Sequence, residues 1–237
     1  MNSERDALLA LSPLDGRYRE ATEPLREYFS EYALIRGRLR IEIDYMLALA
    51  QAGLARRPSD EERGRLRALA QDFFLEEAAR VKQNEQRTRH DVKALEYYLR
   101  DKLQESSLRD LVEWLHFGLT SEDVTQTAQA LALRDSRDKV LLPALDVIRV
   151  RLAALAREYK KTAMLGRTHG QPAVPTTLGK ELAVFLGRLK TAQAEIAAHR
   201  FQAKLTGAVG NLNALVAAAP KIDWLAFGDS FIRQYGL

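Results

Sequence analysis

The chain has 237 residues, of which 46% are hydrophobic and 29% charged, and its 36 basic and 32 acidic residues leave a formal net charge of only +4. This composition is typical of a soluble protein rich in helix, and so small a positive excess favours an anionic small molecule over nucleic acid, which usually requires clustered Lys and Arg. The chain has no cysteine, which excludes disulfides and thiolate metal sites. No apolar run approaches the ~20 residues that span a bilayer, and the N-terminus lacks a signal-peptide pattern, so we predict a cytoplasmic protein without membrane partners.

The first feature along the chain is a turn-rich segment over residues 12–18, where Pro13 and Gly16 fix the backbone. Arg17 and Tyr18 would project from this loop, although the segment could equally be an arm that packs on the body of the protein. From residue 25 to residue 50, apolar residues recur every three or four positions and end at a glycine, which predicts a long amphipathic helix.

Helix starts follow at three further places. Ser59 and Glu62 have the spacing of a capping box. A cluster of two arginines, a histidine and an aspartate, residues 87–93, precedes the next helical pattern, and Thr120 and Ser121 open another. The free N–H groups and positive dipole at such starts suit an anion, but ordinary solvated caps explain the same residues.

The segment from Gly166 to Pro175 cannot be helical throughout, because its two glycines and two prolines interrupt the helical hydrogen bonds. We predict a constrained loop between two long helices, with His169 flanked by Arg167 and Thr168. On the residues alone, a ligand-facing loop and a plain surface loop both remain open.

After this loop, apolar residues from Leu178 to His199 alternate four- and three-residue steps, a heptad pattern that predicts neighbouring helices on a shared axis and self-association. We find no period-two strand, Walker loop, GxGxxG or zinc-ligand spacing. The patterns therefore predict an all-α bundle. Its polar clusters, around Arg17, His90, Thr120 and His169, resemble parts of one distributed site for an anionic ligand.

Five motifs extend this interpretation: residues 12–18 (Ser-Pro-Leu-Asp-Gly-Arg-Tyr), 89–94 (Arg-His-Asp-Val-Lys-Ala), 116–123 (His-Phe-Gly-Leu-Thr-Ser-Glu-Asp), 167–173 (Arg-Thr-His-Gly-Gln-Pro-Ala) and 207–211 (Gly-Ala-Val-Gly-Asn). In this order they resemble the bacterial-type adenylosuccinate lyases of the fumarase/aspartase superfamily. The Gly-Gln-Pro-Ala after His169 distinguishes the pattern from the fumarases and argininosuccinate lyases.

The resemblance implies β-elimination of fumarate from adenylosuccinate, giving AMP, and from the succinylaminoimidazole carboxamide ribotide of purine biosynthesis, with no cofactor or metal. It implies His169 as the general acid that protonates the leaving nitrogen. The implied substrate-binding residues are Arg17 and Tyr18 at the phosphate or nucleotide end, Arg89, His90 and Asp91 in the pocket wall, Thr120 and Ser121 at a carboxylate, and Thr168. His116 matches a histidine implicated in some relatives.

The resemblance also implies a long-helix bundle of the fumarase/aspartase type, with an N-terminal helical domain over residues 1–118 and the start of the central domain over residues 119–237. Members are homotetramers whose active sites combine several chains. This chain departs from the pattern in two ways: Arg89 stands where the family usually has Asn, and the chain stops about halfway through the pattern. It therefore lacks the mobile loop that carries the catalytic serine base, so we expect a chain truncated in the central domain and inactive alone.

Three other hypotheses remain open at this stage. The heptad pattern suits a non-catalytic oligomerisation scaffold. The shared motifs would also suit another superfamily lyase that acts on a different succinyl adduct. A nucleic-acid-binding helical protein is supported only by the basic isoelectric point, and the dispersed charges argue against it.

Overall fold

The computed structural model describes residues 8–237 and is predominantly helical. The α-helices of six or more residues are α1 (Glu31–Gln51), α2 (Asp60–Gln71), α3 (Leu75–Thr88), α4 (Asp91–Gln104), α5 (Ser121–Ser136), α6 (Leu142–Glu158), α7 (Leu178–Ala198), α8 (Asn213–Ala218) and α9 (Trp224–Arg233). Shorter helical segments are Glu23–Leu25, Arg26–Phe29, the 3-10 helix Arg109–Trp114 and a π-helical turn, Arg137–Leu141. Two strands, β1 (Ala163–Thr168) and β2 (Gln171–Thr177), complete the described elements. Within residues 8–237, no helix is long and apolar enough to cross a membrane.

The chain divides into two compact units. One, which we call the core unit, comprises residues 8–133 together with residues 201–237, and the other, the hairpin unit, comprises residues 134–200. The boundary expected from the family resemblance, between residues 118 and 119, stays a prediction.

Helix α1 is the centre of the core unit, because it is buried on nearly every side. One apolar cluster joins it to α2, α3 and α4 through residues such as Leu66, Val81 and Leu99. A second cluster joins it to α5 and to the segment after residue 200, through residues such as Val124 and Trp224. The predicted capping box is confirmed: the Ser59 side chain accepts from the N–H of Glu62, and the Glu62 side chain accepts from the N–H of Ser59.

The hairpin unit consists of α6 and α7, which pack on each other, and an antiparallel pair of strands between them. Its α7 begins very close to the end of α6: the N–H of Gly179 donates to the carbonyl of Tyr159 over 3.0 Å. A β-carbon at Gly179 would lie 2.4 Å from the Ala156 carbonyl oxygen, so glycine is required for this approach.

The expectation of an all-α chain without strands is wrong at residues 163–177, although the predominance of helix is confirmed. The predicted loop is a two-stranded hairpin with a bulge between Leu165 and Arg167. Most of its side chains on both faces are exposed, so no period-two alternation marks the strands in the sequence. Pro172 and Pro175 are tolerated because each strand of a two-stranded ribbon has a free edge.

Other helix boundaries differ in detail from those that the apolar periodicity of the sequence predicts. The first long helix begins at Glu31, where Ser30 caps it, and the stretch near Leu111 is a 3-10 helix. Pro143 lies in the first turn of α6, directly after the π-helical turn, as expected for a residue that interrupts a helix. Helix α7 ends at Ala198, so the heptad pattern stops one residue before His199, which is exposed.

Candidate functional site

The start of α4 and the start of α5 meet through His90 and Ser121. His90 is the N-cap of α4, and its Nδ1 accepts from the backbone N–H of Lys93 over 3.2 Å. Since Nδ1 is the acceptor in this bond, the proton of the neutral ring resides on Nε2. That Nε2 lies 3.5 Å from the Ser121 Oγ. His90 remains half-exposed, so the ring presents a fixed donor at the surface of the core unit.

Asp91, the next residue, is held by a buried arginine of α1. Arg38 Nη1 lies 2.8 Å from Asp91 Oδ2, and Arg38 Nε donates to Thr125 Oγ1 over 3.0 Å. The Arg38 side chain is 7% exposed, so α1, α4 and α5 are tied together at this point. Burial would raise the pKa of the Asp91 carboxyl, but the Arg38 charge and the bond from the Val92 N–H lower it below its usual value.

Asp123 fixes the start of α5. Its carboxylate is fully buried and accepts from the N–H of Thr120 over 3.0 Å. It also accepts from Lys204 Nζ over 2.7 Å and from the backbone N–H groups of Thr206 and Gly207. The Thr120–Ser121 helix start and the glycine-rich segment after residue 206 therefore share one buried anchor.

The turn before α5 is fixed at three successive residues. The His116 N–H and ring Nδ1 both contact the buried Glu42 carboxylate, at 3.1 and 2.6 Å. Tyr45 donates its hydroxyl to the Phe117 carbonyl over 2.8 Å. Gly118 has a positive φ of 67°, and a β-carbon there would collide with Leu215. This turn is rigid before any ligand arrives.

His169 occupies the tip of the β hairpin. Thr168 pairs with Gln171, so His169 and Gly170 form a two-residue connection, and both have positive φ, 54° and 73°. This combination is typical of a type I′ turn, which matches the twist of the flanking strands. The side chains of Thr168 and His169 are exposed at this tip.

Arg17 and Tyr18 lie in the turn-rich N-terminal segment, where the Tyr18 N–H donates to the Pro13 carbonyl over 2.8 Å. The Arg17 guanidinium lies 5.6 Å from the centre of the Tyr18 ring, and both side chains are exposed. Within residues 8–237, no hydrogen bond or ion pair joins this pair to His90, Asp91, Thr120 or Ser121.

Arg89 ends α3 in the left-handed conformation, with φ 55° and ψ 27°. Asn and Gly adopt this conformation more easily than Arg. The Asn expected at this position from the family resemblance therefore suits the backbone, and the exposed Arg89 occupies it at a conformational cost.

The chain is similar in sequence to known proteins. A family model described as a lyase matches residues 16–232. The chain belongs to this lyase family. An adenylosuccinate lyase of Legionella pneumophila (strain Corby) is 43% identical over 235 residues, 98% of this chain and 52% of that protein. The adenylosuccinate lyase of Haemophilus influenzae is 42% identical over 97% of this chain and 51% of that protein. The resemblance inferred from the five motifs is thereby confirmed.

The structure of this lyase-family chain is also similar to a solved one. A crystal structure of a fumarate lyase from Mesorhizobium sp. BNC1 superimposes with a TM-score of 0.71 and 25% identity, covering 90% of this chain and 47% of that one. The chain thus spans about half the length of the curated relatives and of the solved structure that it matches.

Sequence reasoning missed three charged residues that contact the lyase-family motifs: Arg38 and Glu42, which are buried, and Lys204, which is partly exposed. The sequence carries no distinct signal for Arg38 and Glu42, because charged residues also stand at positions 36, 40 and 44 of the same helix. Burial distinguishes them in the structure, where Arg38 is paired with Asp91 and Glu42 with His116.

Proposed function

We propose that this chain contributes to a lyase that eliminates fumarate from adenylosuccinate, giving AMP, and from succinylaminoimidazole carboxamide ribotide. The observation that carries the proposal is the 43% identity with an adenylosuccinate lyase across 98% of the chain. The five motifs lie within that span.

The proposed reaction is an elimination with acid–base catalysis. A base removes the proton from the succinyl carbon next to a carboxylate, the carbon–nitrogen bond breaks, and an acid returns a proton to the leaving nitrogen. His169 is the proposed acid, and Thr168 beside it contacts the substrate. Its exposed position at the tip of a rigid two-residue turn suits a group that must reach a bound ligand.

Negative charge grows on the succinyl carboxylate as its neighbouring carbon loses a proton, so fixed donors are needed there. His90 with Nε2–H, the Ser121 hydroxyl and the Thr120–Ser121 helix start supply such donors in one place. Asp91, held by Arg38, and the exposed Arg89 are proposed to line the substrate pocket beside His90. Arg17 and Tyr18 are the proposed contacts to the phosphate or nucleotide end, and their exposed side chains leave them available.

The chain alone is expected to be inactive. The family resemblance assigns the base to a serine on a loop that none of the five motifs supplies, and it implies homotetramers in which several chains build each site. Exposed apolar residues on the hairpin unit, such as Val147, Ile148 and Phe185, support self-association.

The test is fumarate release from adenylosuccinate by the complete gene product and by its His169→Gln variant. Loss of a general acid should lower turnover by about 10²- to 10⁴-fold. His199→Gln is the matched control, since His199 is a second exposed histidine of the hairpin unit. Equal turnover in wild type and His169→Gln would remove His169 from the chemistry, and turnover by the 237-residue chain alone would refute its inactivity.

A second candidate is a superfamily lyase for another succinyl adduct. The fold is shared with enzymes of other named activities, including a 3-carboxy-cis,cis-muconate lactonizing enzyme from Pseudomonas putida at a TM-score of 0.72, so the fold alone does not choose the substrate. Fumarate release from another succinyl adduct, with none from adenylosuccinate, would favour this candidate. No release from either would favour the scaffold hypothesis.

A further inference from the structure

We infer that Glu42 is a positioning residue, which holds the His116 ring in one orientation and in one protonation pattern so that Nε2 is a donor toward a bound anion. This inference rests on the proposed function for the nature of the anion, but its structural part can be tested without any substrate.

The Glu42 carboxylate contacts His116 at two points. One oxygen of Glu42 lies 2.6 Å from His116 Nδ1, and the other accepts from the His116 backbone N–H over 3.1 Å. A single carboxylate therefore binds the ring and the main chain of the same residue. Rotation of the ring about either side-chain torsion would break the shorter bond, so the orientation of Nε2 follows from the position of Glu42.

Both side chains of the pair are largely removed from solvent. The Glu42 side chain is 1% exposed and the His116 side chain 15% exposed. A carboxylate so deeply buried is costly unless it is compensated by hydrogen bonds and a positive charge. His116 supplies both when its ring is protonated, and Nδ1–H then points at Glu42 while Nε2–H is left to donate elsewhere. The protonated ring held in this way therefore donates through Nε2, whereas the neutral ring, with its proton on Nδ1, would leave Nε2 an acceptor.

His116 lies in a strained turn whose neighbouring residues are held in place. Its φ is 53°, in the left-handed region, which is strained for a residue other than glycine. The Tyr45 hydroxyl and the packed Gly118 hold the next two residues. The turn runs from His116 to Thr120 and Ser121, at the start of α5, where His90 also lies. Backbone strain maintained next to a cluster of donors is typical of functional sites.

The charges around His116 agree with this assignment. Glu42 of α1 and Glu96 of α4 favour the protonated ring, and Lys93 of α4 opposes it. Burial by itself lowers the pKa of His116, but the hydrogen bond and charge of Glu42 outweigh burial and raise the pKa above the ordinary value. His116 therefore keeps its proton to higher pH than an ordinary exposed histidine.

The test is an NMR titration of the four histidines, His90, His116, His169 and His199, in wild type and Glu42→Gln. We expect the pKa of His116 to fall by about one unit or more in Glu42→Gln, with the other three unchanged. Ring ¹⁵N shifts should report Nδ1–H in neutral wild-type His116. The matched control is Glu62→Gln, which removes another buried carboxylate that contacts Arg56 and Ser59 instead of a histidine.

If Glu42→Gln does not fold, the titration of the wild-type protein alone tests the inference. A wild-type His116 whose pKa does not exceed the ordinary value for histidine, or that carries its neutral proton on Nε2, would overturn the inference. So would an unchanged His116 pKa in a folded Glu42→Gln.

A kinetic measurement on the complete gene product separates this inference from the proposed function. Glu42→Gln should shift the basic limb of the pH–rate profile to lower pH, and Glu42→Asp should restore part of the shift. A wild-type protein without lyase activity, but with the NMR result above, would remove the proposed function and leave Glu42 as the residue that orients His116. An active enzyme whose profile is the same in Glu42→Gln would reject the positioning role.

Discussion

At the scale of single residues, the described non-glycine residues with positive φ are Arg89, His116, His169 and Leu212. Three of these four lie in the motifs that carry the resemblance to the lyases, and Leu212 directly follows the last motif. Positive φ is disfavoured for residues with a β-carbon, so it persists only where the surrounding structure imposes it. A tight turn holds His169, and a buried carboxylate holds His116. Arg89 has neither kind of support.

Arg89→Gly should therefore stabilise the protein. Its left-handed backbone costs about 1 kcal/mol or more for Arg and almost nothing for Gly, and within residues 8–237 the Arg89 side chain forms no hydrogen bond or ion pair that would be lost. We expect a free energy of unfolding higher by about 1 kcal/mol, measured by urea denaturation.

Gln86→Gly is the control for Arg89→Gly. Gln86 is exposed in the last turns of α3, where the backbone is helical. Glycine in a helix costs about 1 kcal/mol, so this variant should be less stable than wild type. If the free energy of unfolding changed in the same direction in both variants, the explanation by backbone conformation would be wrong.

At the scale of elements, Arg56 joins parts of the core unit that are distant in sequence. Its guanidinium forms paired hydrogen bonds with Glu62 of α2 and with Asp110 of the 3-10 helix, and it donates to the Ser107 carbonyl. The Arg56 hydrogen bond, followed by that from the Ser59 N–H, lowers the pKa of Glu62 from 4.5 to about 2.

This shift predicts the pH dependence of Glu62→Gln. The folded-state pKa is lowered, so the contribution of Glu62 is complete above its unfolded-state pKa and is lost as pH falls from 4.5 toward 2. At pH 7 the variant should be less stable than wild type by on the order of 2 kcal/mol, and the two stabilities should converge near pH 2. Urea denaturation between pH 2 and 7 measures this, and a constant difference across the range would contradict it. Glu61→Gln, at an exposed carboxylate, is the control.

The junction of α6, the hairpin and α7 depends on Gly179. A β-carbon there would lie 2.6 Å from the backbone N and Cα of Lys160 as well as 2.4 Å from the Ala156 oxygen, and backbone cannot move as easily as a flexible side chain. We expect Gly179→Ala to destabilise the hairpin unit by about 1–3 kcal/mol, measured by amide hydrogen exchange in α6 and α7. Gly187→Ala, at an open position of the same helix, should instead stabilise by up to about 1 kcal/mol.

The helices could be predicted from the sequence because most of them bury one face, and this burial produces the three- and four-residue period. The Ser59 cap was predictable because capping needs specific side chains at a fixed spacing. The hairpin around His169 was not predictable in this way, since its strands bury neither face. The contact of His90 with Ser121 depends on residues 31 apart in sequence, and the motifs alone could not supply that distance.

At the scale of the whole molecule, the hairpin unit lacks a core of its own. Of residues 134–200, Ser136 and Gly179 are the ones classed as buried, and neither is a large apolar residue. The exposed large hydrophobic residues of this unit are Leu141, Val147, Ile148, Val150, Met164, Leu165, Val174, Val184, Phe185 and Ile196. A soluble protein rarely leaves so many apolar side chains uncovered on so small a unit, so further protein surface is expected to cover them.

Self-association through the hairpin unit is the whole-molecule prediction. Long helices whose apolar residues remain exposed bury them best against copies of themselves, as in helical bundles. In sedimentation velocity, the chain should show a concentration-dependent increase in mass. Ile148→Asp, at a side chain 51% exposed on α6, should weaken this association by about tenfold or more, because an unpaired charge would be buried in the contact. Leu225→Asp, at a residue 71% exposed on α9 of the core unit, is the control and should associate like wild type. A monomer at all concentrations, or equal weakening by both variants, would show that these helices are not the contact surface.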